Sequence, residues 1–116
     1  MSSHAFIVEA QTDQVVLEAH DWVPNQDPDW SADVRAYMEK WHANMTVALA
    51  PSMDPASPNG VFNPACFIHT TFTETSPLLA GTSFLDAFAA WYFGDAGATT
   101  KLQDDCGILC NPTCNH

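Results

Sequence analysis

The chain has 116 residues, 47% of them hydrophobic and including 7 Phe, 4 Trp and 2 Tyr, so it can bury one modest core and is no disordered tail. Its 14 acidic residues face only 3 basic ones, for a formal net charge of −11, which excludes nucleic-acid phosphates and anionic lipid as electrostatic partners. No apolar run approaches the roughly 20 residues of a membrane span.

Ala5-Phe-Ile-Val-Glu9 is a short apolar run with β-branched residues and reads as a buried strand. Residues 21–30 follow as an irregular loop marked by Pro24, Asn25 and Pro28. From Ser31 to Leu49 the residues Val34, Tyr37, Met38, Trp41, Met45 and Leu49 recur at steps of three and four, which predicts a helix with one apolar face. Ser31 caps its start, Asp33 suits the positive end of its dipole, and Pro51 is expected to end it. Pro51, Pro55, Pro58 and Asn59-Gly60 mark residues 51–63 as a loop.

Val61 to Thr71 reads as one strand leading up to His69. A second helix is predicted over Phe84–Phe93, with Ser83 as cap, Asp86 in the capping-box position and Gly94 as stop. Its apolar residues are Leu85, Phe88, Trp91 and Tyr92. The order strand, helix, strand, helix, tail points to the α/β class, a parallel sheet with helices packed on it. Two strands alone leave both edges unpaired and cover little apolar surface. Residues 1–116 are therefore expected to be the closing part of one larger α/β domain.

Four cysteines, three of them in Cys106-Gly-Ile-Leu-Cys110-Asn-Pro-Thr-Cys114, suit disulfides of an oxidising compartment. The competing use is a metal site built from that tail and His116, although zinc sites more often use tighter Cys-x2-Cys pairs. Disulfides are preferred, with no metal and no cofactor expected. Asn44-Met-Thr46 is a glycosylation sequon that fits secretion. The first residues lack the basic start and apolar stretch of an export signal, so that signal is expected upstream.

Asp13 lies just past the first predicted strand and His69 near the end of the second, at the strand ends where α/β hydrolases carry a triad acid and base. His42 is expected on the exposed side of the long helix, His20 in a loop, and His4 and His116 at the chain ends. No nucleophile elbow is present. Gly81-Thr-Ser83-Phe comes nearest, but it lacks the second glycine, and Ser83 is accounted for as a helix cap.

Asn63-Pro-Ala-Cys66-Phe-Ile-His69 resembles the Cys-x-x-His segment that carries the catalytic histidine of pectin acetylesterases and Notum-type carboxylesterases. The cysteine tail is similar to that family's C-terminal signature, and residues 81–93 resemble the helix between the two segments. Phe6-Ile-Val with Thr12-Asp13-Gln14 is a looser match to its strand and triad acid. The resemblance implies an α/β-hydrolase-like fold, His69 as general base and Asp13 as its orienting carboxylate, with Asp21 in reserve. It also implies a Cys66–Cys114 bridge, leaving Cys106 and Cys110 to pair with each other. The substrate it implies is an acetylated polysaccharide, or an acylated protein on the Notum branch. The three-residue gap between Cys106 and Cys110 favours the polysaccharide branch. The rival expectation is a non-catalytic, disulfide-stapled secreted module that binds carbohydrate or protein through exposed Trp22 and Trp30.

Overall fold

Phe6, Ile7 and Val8 crowd their backbone into extended conformation, and they form the first strand of a parallel sheet. A computed structural model of the chain describes residues 4–13, 17, 30–69, 72, 76–94 and 99–114. The elements run β1 (Phe6–Val8), β2 (Thr12–Asp13), α1 (Ala32–Met53), β3 (Gly60–Asn63), β4 (Phe67–Ile68), α2 (Phe84–Phe93) and β5 (Lys101–Gln103). One parallel sheet has the order β1-β3-β5, and a second parallel pair joins β2 to β4. The architecture is α/β, with a helix between each pair of neighbouring strands in the main sheet.

Register places Val8, Phe62 and Leu102 side by side across the three strands. Phe62 and Leu102 are buried there beneath Ala87 of α2, with Phe6, Val8 and Phe84 packed around them. On the opposite face Val61 is fully buried, and Lys101 Nζ donates to the Ser52 carbonyl of α1 at 2.6 Å. A second cluster joins Met38 of α1 to Leu17, Trp30 and Phe67, so α1 also covers β4.

Both helix starts follow the capping chemistry of the sequence. Ser31 Oγ accepts from the Val34 amide and Ser83 Oγ from the Asp86 amide, each at 3.2 Å. Gly94 ends α2 at φ 69°, a left-handed cap that a side chain would strain.

Four expectations need correction. Pro51 does not end α1, which continues to Met53. The carbonyl that Pro51 leaves without its helical donor belongs to Val47, a residue 74% exposed, so water can satisfy it. Residues 60–63, expected in a loop and at a strand start, are β3 itself. The single strand expected over Val61–Thr71 is broken at Pro64, so β3 and β4 belong to different sheets. The tail after α2 begins with a strand, β5, that completes the main sheet. Helix faces are also narrower than the pattern suggested. Tyr37, Leu85 and Tyr92 are exposed, while Ala87 is the residue of α2 that is buried.

Gly60 pairs with Phe6 on the α2 side of the sheet, and a Cβ there would run into the Phe6 ring and lie 3.0 Å from Trp91 Cδ1. The Phe6 ring cannot swing away freely, because Phe84, Phe88 and Trp91 surround it with centroids 5.4–6.2 Å distant. Gly60→Ala is expected to cost about 1–3 kcal/mol by overpacking. Thermal unfolding measures it, and an unchanged midpoint would show that the ring can move aside.

Candidate active site

The residues of interest gather where β2 and β4 end. Thr12 is the register partner of Phe67 and Asp13 that of Ile68, so Asp13 and His69 lie at the C-terminal ends of neighbouring parallel strands. Asp13 had been expected just past a single strand; its backbone instead closes a second, short strand that exists because β4 pairs with it. His69 follows β4 directly and is exposed.

The β4 segment is tied down on several sides. Thr12 Oγ1 donates to the Cys66 carbonyl at 2.8 Å. Cys66 is bonded to Cys114, with Cα atoms 5.6 Å apart, and Cys106 is bonded to Cys110. Pro64 takes the chain out of β3, and its carbonyl accepts from both the Gln11 and the Cys66 amides at 2.9 Å. The next amide, that of Ala65, donates to Asp104 Oδ2 at 2.8 Å.

Around this turn lies a polar network that sequence reasoning missed. Gln11 Nε2 donates to the carbonyls of Asn63 and Asp104, at 3.2 and 2.6 Å. Asn63 Nδ2 donates to the Glu9 carbonyl at 2.7 Å, and Gln103 Nε2 donates to Asn63 Oδ1 at 3.0 Å. These side chains satisfy backbone groups where the short strands stop, a need that buried peptide groups impose. Gln11 Oε1 is buried with no hydrogen-bond partner among the described residues.

The tail contributes Asn111 and Thr113. Asn111 Nδ2 donates to the Leu78 carbonyl and to Asp104 Oδ2, while its Oδ1 accepts from the Thr113 amide at 2.8 Å. Thr113 Oγ1 accepts from the Leu78 amide at 2.7 Å. The Asn-Pro-Thr tripeptide between two cysteines carried the signal for this turn, since an Asn side chain bonds the backbone two residues on.

The remaining candidates separate. His42 is half-buried with an unpartnered, buried Nε2 among the described residues, which corrects its expected place on the exposed side of α1. Ser83 is 3% exposed and engaged as a cap, which fits no nucleophile. Asn44 is exposed on α1, and Thr46 Oγ1 donates to the His42 carbonyl at 3.1 Å. Trp30 is 5% exposed and meets Phe67 edge-on at 5.2 Å, so it is a core residue and not the exposed binding platform expected of it. Asp21, His20, Trp22 and His116 lie outside the described residues. The metal alternative lacks thiolates, because all four sulfurs are committed to disulfides. No helix of the described residues is long and apolar enough to cross a membrane.

The family model described as Pectinacetylesterase matches residues 1–115 of the chain. No curated protein matches the chain closely enough to count as a relative.

Proposed function

Because the chain belongs to the pectinacetylesterase family, we propose that it supplies the base and the acid of a serine ester-hydrolase centre, His69 and Asp13. The observation that carries this reading is the β2–β4 register, which brings the two residues to adjacent parallel strand ends inside the matched segment. The fold in this reading is the C-terminal part of an α/β-hydrolase-like domain, with β1, β3 and β5 as part of a longer parallel sheet. The serine comes from a segment upstream of this one, since no Gly-x-Ser-x-Gly-like turn occurs in the 116 residues.

The chemistry follows from those roles. The serine oxygen attacks the acetyl carbonyl while the His69 imidazole takes its proton. The tetrahedral intermediate collapses, the bond to the sugar oxygen breaks, and the imidazolium returns the proton to that leaving oxygen. Water, deprotonated by His69, then attacks the acyl-enzyme, frees acetate and restores the serine. Asp13 holds the imidazole in the tautomer that can accept the proton and stabilises the imidazolium once it forms. No cofactor enters any step.

The family description supports an acetylated cell-wall polysaccharide as substrate in preference to an acylated protein. Two disulfides support an extracellular site of action, and Asn44, exposed with Thr46 two residues on, is the position for an N-linked glycan. Asp21 remains the reserve acid.

The 116 residues alone are expected to release no p-nitrophenol from p-nitrophenyl acetate beyond what free imidazole at equal concentration releases. Turnover that vanished in His69→Ala would reveal a nucleophile within this segment and overturn the division of the triad.

A further inference from the structure

The carboxylate of Asp104 has no part in the chemistry above, yet four segments meet at this residue. Its Oδ2 accepts from the Ala65 amide at 2.8 Å and from Asn111 Nδ2 at 2.9 Å. Its backbone amide donates to the Asn63 carbonyl at 3.2 Å, and its carbonyl accepts from Gln11 Nε2 at 2.6 Å. The segment after β1, the end of β3, the turn into β4 and the cysteine tail are thus joined at one side chain and its own peptide groups.

Ala65 is where the chain passes from the main sheet to the β2–β4 pair, four residues before His69. It is 0% exposed, so its amide has no ready access to water. The bond to the Asp104 carboxylate is directional. The disulfide ties Cys66, the next residue, to Cys114 of the tail. The Thr12 hydroxyl holds the Cys66 carbonyl from the β2 side. Beside the β2–β4 pairing and the tail's contacts with the Ala65 carbonyl, the Ala65 amide on Asp104 is the bond made at the point where the turn releases β4.

We propose that Asp104 is a positioning residue, which aims β4 so that Ile68 pairs with Asp13 and His69 follows at the neighbouring strand end. The proposal rests on the His69–Asp13 pairing of the preceding subsection. It differs from a purely stabilising role in one respect. Loss of the Asp104 acceptor uncouples His69 from Asp13, beyond any change in the unfolding midpoint.

The test uses the 116-residue chain with isotope-labelled histidine and follows the ring Cε1–Hε1 signal of His69. Asp13→Asn is expected to displace that signal in an otherwise unaltered chain. It is expected to displace it equally in the Asp104→Asn background, whose amide oxygen keeps two acceptor sites for Ala65 and Asn111. In the Asp104→Ala background the displacement is expected to be lost. Asp104→Glu, which keeps the charge and moves the acceptor by one methylene, gives the same readout should Asp104→Ala not fold, and a reduced displacement is expected. A full response in the Asp104→Ala or Asp104→Glu background would overturn the positioning role and leave Asp104 a stabilising contact. No response in the unaltered chain would instead overturn the His69–Asp13 pairing itself, and with it the functional reading.

Discussion

Phe62→Ala is expected to remove about 3–5 kcal/mol of stability, a large share of the roughly 5–15 kcal/mol that a folded domain has. Phe62 is the middle residue of the row Val8, Phe62, Leu102 and is 0% exposed. Its ring meets Phe72 and Phe84 edge-on at 6.0 and 6.3 Å, so truncation forfeits both contacts and opens a cavity between sheet and helix. The surrounding rings belong to separate segments and cannot all collapse inward to fill it. Urea unfolding measures the loss, with Leu85→Ala as the control. Leu85 is 48% exposed on the far side of α2 and should cost no more than about 0.5 kcal/mol. Equal losses from the two variants would mean that the α2–sheet contact is not the core.

The same contact shows what the sequence made legible. Both helices could be placed because their signals are local: Ser31 and Ser83 accept from amides three residues on, and Gly94 supplies its own left-handed turn. Strands depend on partners that the local sequence does not name. Lys101-Leu-Gln103 offers one buried residue between two half-buried ones, too weak a pattern to read, and becomes β5 because Val61, Phe62 and Asn63 lie alongside it. The break at Pro64 was hidden for a related reason. Apolar residues continue on both sides of it, but they are buried against different neighbours, Phe62 against α2 and Phe67 against Trp30.

At the site, His69 could be singled out because it shares a short segment with Cys66, and Asp13 because it follows an apolar run. The residues that hold them could not. Gln11 and Asp104 are 93 positions apart, and nothing near either one announces the bond between them. A polar side chain that satisfies a strand end reads, in sequence, like any other surface residue. Asn111-Pro-Thr113 carries a local turn signal, in that the Asn side chain bonds the backbone two residues on, but its bonds to Leu78 and Asp104 are as unannounced as the rest.

Cys66→Ala combined with Cys114→Ala is expected to cost about 4 kcal/mol in the chain-entropy account, because the bridge closes a loop with a sequence separation of 48. Cys106→Ala with Cys110→Ala opens a separation of only 4 and is expected to cost about 2 kcal/mol. The order of the two unfolding midpoints is the first check. Location is the sharper one. Cys66 is 0% exposed, its carbonyl accepts from Thr12 Oγ1, and Phe67 follows it into β4. Without the bridge, the tail can leave Ala65 and Cys66 while the main sheet stays paired. Amide hydrogen exchange at Phe67 and Ile68 should then accelerate ahead of that at Val61 and Phe62. The Cys106–Cys110 variant should leave that ranking as it is in the unaltered chain. If both variants loosen β4 to the same degree, the long bridge serves the tail alone and the histidine strand is held by its hydrogen bonds.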